Sequence, residues 1–238
     1  MVNFKKLRQM VEIKGNGNIV SREISVSSFI RLHLAGKGTI ELHQSDEEKV
    51  IVETDENLQE YFSVENAGRT LYVSAEGKFR RPAFTSCTIK VFLRQMEVLY
   101  VRNSGGNVVC PNEITLSQLI EIKIQSEGNT ELNLVVPAIK LLSQTEGNVI
   151  LRGACEKIDI KNQSEGDFDS SQLKTGELYI KNMGEGNIRL HADKTIRIKH
   201  YGEGYIHYYG SAVVKDVVQY GEGEIKHLKE ELKIKSEE

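Results

Sequence analysis

Between residues 98 and 225 apolar side chains recur at even offsets from a repeated glycine and polar ones at odd offsets, the period of two that belongs to β-strands. The glycines are Gly106, Gly128, Gly147, Gly166, Gly186, Gly204 and Gly223, separated by 22, 19, 19, 20, 18 and 19 residues. Six before them stand Tyr100, Ile122, Leu141, Ile160, Ile180, Ile198 and Val217; eight before stand Val98, Ile120, Ile139, Ile158, Leu178 and Ile196, with Lys215 breaking the series. Two after stand Val108, Thr130, Val149, Phe168, Ile188, Ile206 and Ile225. A unit this short cannot bury its apolar face alone, whereas units stacked at about 4.8 Å share a continuous core. The pattern predicts an all-β fold: a β-solenoid of about 19-residue coils, each cornered by a glycine.

The corner carries its own marker, as in Ser126-Glu127-Gly128-Asn129 and Gly184-Glu185-Gly186-Asn187, with Ser104-Gly105-Gly106-Asn107 a degenerate first copy. Upstream, Gly15-Asn16-Gly17-Asn18-Ile19 and Gly36-Lys37-Gly38-Thr39-Ile40 repeat a related marker and are expected to begin two coils. From 48 to 95 the period lapses into short alternating strands, with Asn66-Ala67-Gly68 as a hairpin turn. The expected organisation is an irregular β part over 1–96 that starts the solenoid and includes a partly antiparallel sheet, then regular coils over 97–238. Lys229-Glu230-Glu231-Leu232-Lys233-Ile234-Lys235 has the charge of a cap that blunts the last edge strand.

Composition removes several classes. The 238 residues carry 31 basic and 34 acidic side chains, a net charge of −3, without the positive field on which nucleic-acid binding relies. No apolar run approaches the roughly 20 residues of a membrane-spanning helix. Cys87, Cys110 and Cys155 are too widely spaced for a metal knuckle and read as free thiols. His33, His43, His191, His200, His207 and His227 show no paired ligand spacing and read as surface or ladder residues. The glycine loops open no helix, which argues against a nucleotide, and no nucleophile motif is present. No cofactor and no metal are expected.

Two outward features remain. Glu127, Glu146, Glu165, Glu185, Glu203 and Glu222 form a single-file row, read as solvated acids, since calcium needs six to eight oxygens from a cage. In the last coils Lys199, Tyr201, Glu203, Tyr205, Tyr220 and Glu222 bring aromatic rings beside charges, a surface on which sugar rings could stack; the alternative is plain cross-strand pairing. Arg197-Ile198-Lys199 resembles one short motif of pectin-cleaving β-helices, but the Asp-Asp pair and His-Gly partner of such enzymes are missing.

Gly15-Asn16-Gly17-Asn18-Ile19 and Gly184-Glu185-Gly186-Asn187-Ile188, with the strand Phe29-Ile30-Arg31-Leu32 leading into Gly36-Lys37-Gly38 and the stretch Val52–Leu58, make the chain similar to the head GIN domain family, often labelled auto-transporter adhesins. The resemblance spans roughly residues 15–225 and implies a bacterial, cell-envelope or secreted protein without an established activity. The N-terminus on its own shows no signal-peptide core, because Glu12 and Lys14 interrupt the apolar run; a native start at Met1 would place the chain in the cytoplasm. The expected function is non-enzymatic, adhesin-like binding that presents the polar-aromatic face to a carbohydrate or protein. A pectinase-like enzyme or a pure scaffold is the alternative.

Overall fold

The computed structural model describes residues 11–75, 80–103 and 105–229. Ser104 of the degenerate marker and residues 230–235 of the expected cap lie outside them. Among the described residues, one sheet of 19 strands is wound into stacked parallel coils, a β-solenoid, and a separate parallel pair joins Val11–Lys14 to Arg80–Ala83.

Register explains why alternation was the dominant signal. Ile122 pairs with Leu141, Leu141 with Ile160, Ile160 with Ile180 and Ile180 with Ile198, so each aliphatic side chain lies on its equivalent one coil away. Ile120, Ile139, Ile158, Leu178 and Ile196 form a second ladder, and Val108, Val149, Phe168, Ile188 and Ile206 line the far side. All are essentially solvent-free. Each such side chain contributes about 1.5–3 kcal/mol by leaving water. The corner glycines obey a steric rule: a β-carbon on Gly128, Gly147, Gly166, Gly186, Gly204 or Gly223 would overlap the carbonyl of the glycine one coil earlier.

The expected parity fails at both ends of the regular run. In Val98–Asn103 the buried residues are Leu99, Val101 and Asn103, whereas Val98 and Tyr100 are half-buried on the outside. Asn103 pairs with Ser126, a register one residue longer than the spacing of Gly106 and Gly128, and this shifts every side chain to the opposite face. At the other end Val217 does align with Ile198, through a bulge that accommodates Lys215, yet it remains exposed together with Val213 and Val214. The coil of which it is part is the last one described.

The N-terminal part is partly antiparallel and belongs to the same sheet as the coils. Arg31–Gly36 and Thr39–Gln44 form a true coil: Gly38 N–H donates to the Gly105 carbonyl (2.9 Å), and Thr39–Gln44 pairs with both Val108–Val109 and Cys87–Leu93. Ser63–Ala67 and Thr70–Ser74 are the hairpin, turning at Gly68 with φ 58°. The marker at Gly15–Ile19 begins no coil, contrary to expectation. It leads into Ile19–Ser25, which runs antiparallel to Lys49–Asp55. Asp55 fixes that turn. Its buried carboxylate accepts Gly17 N–H (2.8 Å), Thr85 N–H (2.8 Å) and Thr85 Oγ1–H (2.5 Å), and a side chain on Gly15 would strike it. Burial opposes ionisation of Asp55, but these donors outweigh it and hold its carboxyl below the ordinary range.

Candidate functional site

The coil register turns single positions into rows that run along the solenoid, and three of them define a banded outer face. Five residues before each corner glycine the row reads Lys123, Leu142, Lys161, Lys181, Lys199. Three before it lies an uncharged row: Gln125, Gln144, Gln163, then Met183, Tyr201 and Tyr220. Gln125 Nε2 donates to Gln144 Oε1 (3.0 Å) and Gln144 Nε2 to Gln163 Oε1 (2.7 Å), an amide chain that passes from coil to coil. Immediately before the glycine all six glutamates are exposed, as their parity predicted.

Of the sequence-predicted site residues, Lys199, Tyr201, Glu203, Tyr220 and Glu222 share this face. Tyr201 and Tyr220 stack at 5.5 Å between centroids and 14° between planes, and Tyr220 is 78% exposed. Lys181 Nζ lies 5.5 Å from the Tyr201 centroid, a cation–π contact. Tyr205 is not part of the cluster. It lies past the corner, where its hydroxyl accepts Arg189 Nη2–H (2.9 Å) and its ring stacks on His207 at 4.1 Å. Lys199 also borders a shallow depression with Tyr179, Arg197, Lys215 and Asp216.

A polar ladder inside the coils escaped the sequence reading. Asn162 Nδ2 donates to Asn182 Oδ1 (2.8 Å) and Asn182 Nδ2 to His200 Nδ1 (3.2 Å), all three fully buried. Burial holds the His200 imidazole below its ordinary pKa. Parity alone could have found this column, four residues before the glycine. Past the corner, Asn129, Asn148, Asp167 and Asn187 each spend a side-chain oxygen on a main-chain N–H of the next coil, at 2.8–3.4 Å. Each of these hydrogen bonds ties the side chain to the stacked backbone of the neighbouring coil. Among the described residues no group of three or more His, Cys, Asp or Glu is arranged to hold a metal ion.

Cys110 and Cys155 are buried and Cys87 half-buried, all unpaired. Burial pushes their thiols up to about 11, about 11 and about 12, which removes them as nucleophiles at neutral pH. No helix among the described residues is long and apolar enough to cross a membrane.

These features define a short-coil, glycine-cornered β-solenoid with an open, banded face. The chain belongs to the head GIN domain family: the model described as putative auto-transporter adhesin, head GIN domain, matches residues 28–212. Among solved structures, a putative adhesin from Bacteroides fragilis is similar at a TM-score of 0.83 and 21% identity, over 91% of this chain and 100% of that one. A putative adhesin from Parabacteroides distasonis gives 0.71 and 21%, over 91% and 100%. A putative lipid binding protein from the same species gives 0.69 and 20%, over 92% and 100%. These likenesses establish the shared fold. No curated protein matches the chain.

Proposed function

We propose that this protein is a non-enzymatic, adhesin-like binding domain of the cell envelope or the secreted fraction, and that its banded face takes a carbohydrate. One observation carries the reading: Tyr201 and Tyr220 form an exposed stacked pair on an open face, with Lys199 on one side and Glu203 and Glu222 on the other. Aromatic faces beside charged donors and acceptors suit a sugar, whose C–H faces are apolar and whose hydroxyls need partners. The carboxylates of Glu203 and Glu222 are exposed, with no wall to exclude water, which favours binding over hydrolysis. The envelope location rests on the family's description as adhesins.

A glycan array probed with the native chain and with Tyr201→Ala/Tyr220→Ala tests this. Retention of defined glycans by the native chain and loss in the variant is expected. Failure of the native chain to hold any glycan, with turnover of a polysaccharide in solution, reverses the reading in favour of an enzyme.

A further inference from the structure

We infer that the face takes an acidic polysaccharide, one bearing a carboxylate on successive sugars, laid across the strands with its acids on Lys161, Lys181 and Lys199 and its sugars against Tyr201 and Tyr220. This rests on the carbohydrate reading above and names the ligand's class.

The three lysines are register partners on consecutive strands, so their stems stand one strand spacing apart, about 4.8 Å. A linear glycan advances by about that length per sugar, so a chain acidic at each sugar carries negative charge at about the linear density of the lysine row. None of the three makes an ion pair among the described residues, whereas Lys140 holds Glu121 at 3.1 Å, Lys157 holds Glu177 at 3.9 Å and Lys194 holds Glu156 at 2.6 Å. Aligned like charges at this spacing repel by about 1 kcal/mol per neighbour in water, and an anionic chain relieves that repulsion. Arg197 adds a further cation beside Lys199 in the same depression.

The glutamate row fixes both the position and the width of the ligand. It lies at the corner, four residues past the lysine row and beyond the strand ends at Asn162, Asn182 and His200, so it borders the strand surface that carries the lysines. A chain one sugar wide can lie over the lysines and the uncharged row without meeting it. An anionic bilayer would cover the whole face and press its headgroups onto exposed Glu165, Glu185 and Glu203. The bands therefore favour a polysaccharide over lipid headgroups.

The experiment titrates the full chain with galacturonate oligomers, and with the same oligomers carboxyl-reduced to neutral sugars, at low and physiological salt. The acidic oligomers should bind, more weakly as salt rises, and the neutral ones should bind far less. Lys161→Gln/Lys181→Gln/Lys199→Gln, folded by circular dichroism, should bind the acidic oligomers about tenfold more weakly, the sum of several exposed ion pairs. Equal binding of acidic and neutral oligomers, or undiminished binding by the triple variant, overturns the lysine assignment and leaves the carbohydrate reading standing. If neither oligomer binds while phosphatidylglycerol vesicles do, the inference is overturned in favour of lipid; the array described above judges the broader reading separately.

Discussion

The carbonyl of Gly147 occupies the space that a β-carbon on Gly166 would need, and the same contact recurs at successive corners from Gly128 to Gly223. The periodic glycine is thus a packing requirement of stacking one corner on another. Gly166→Ala should lower stability by about 1–3 kcal/mol, the range for overpacking, read as a fall in the denaturant midpoint. An unchanged midpoint would mean that the corners can separate at little cost.

Ile180 is fully buried between Ile160 and Ile198. Ile180→Ala should cost about 2–5 kcal/mol by opening a cavity inside the ladder. Chemical denaturation followed by circular dichroism measures it, and a cost below about 1 kcal/mol contradicts the inward ladder.

His200 ends a buried amide ladder, and burial lowers its pKa. The unfolded chain binds a proton near pH 6.5 that the folded chain resists, so the full stability holds above that pH, declines as pH falls through it, and stops declining below the folded-state pKa. His200→Asn should continue the Asn162–Asn182 ladder and flatten this part of the stability curve. His33 is also lowered, by burial and then by Arg31, so a smaller slope should persist in the variant.

Asp55 predicts a second limb at lower pH. With its folded-state pKa held below the ordinary carboxylate value, its contribution is complete above about pH 4 and is lost as pH falls through the folded-state pKa. Asp55→Asn should destabilise the protein at neutral pH and weaken its acid dependence below pH 4. Melting temperatures measured across that range distinguish this limb from that of His200.

The exposed glutamate row should respond to salt as a screened line of charges. Calcium and sodium chloride at matched ionic strength should raise the melting temperature equally, and Glu185→Gln should leave stability unchanged or slightly higher. A calcium-specific rise that disappears in Glu165→Gln/Glu185→Gln would instead make the row a cation site, by preferential binding to the folded state.

The sequence revealed the coils because one rule, alternation about a glycine, determines both the buried ladders and the outward rows from Ile120 to Ile206. It misled where register departs from glycine spacing: Tyr100 looked buried because Gly106 and Gly128 are 22 residues apart, while the strands pair one residue out of step. Gly15–Ile19 carried the right local marker but the wrong neighbours, since local sequence does not reveal that Asp55 would capture the turn. Among the site residues, strand parity placed Lys199, Tyr201, Glu203, Tyr220 and Glu222 on one face. Tyr205 fell outside because the corner turns its position away from that face.

The order of the coils in space differs from their order in the chain. Arg31–Gly36 lies between Thr70–Ser74 and Val98–Asn103, both of which follow it in sequence. At this end the coil cannot be completed as the chain emerges; it must wait for two later strands to close on either side, a non-local step that slows folding. Past Ile120 each turn needs only its predecessor. A lineage of such proteins can therefore lengthen or shorten by whole turns in that half, while the interleaved half is inherited as a block.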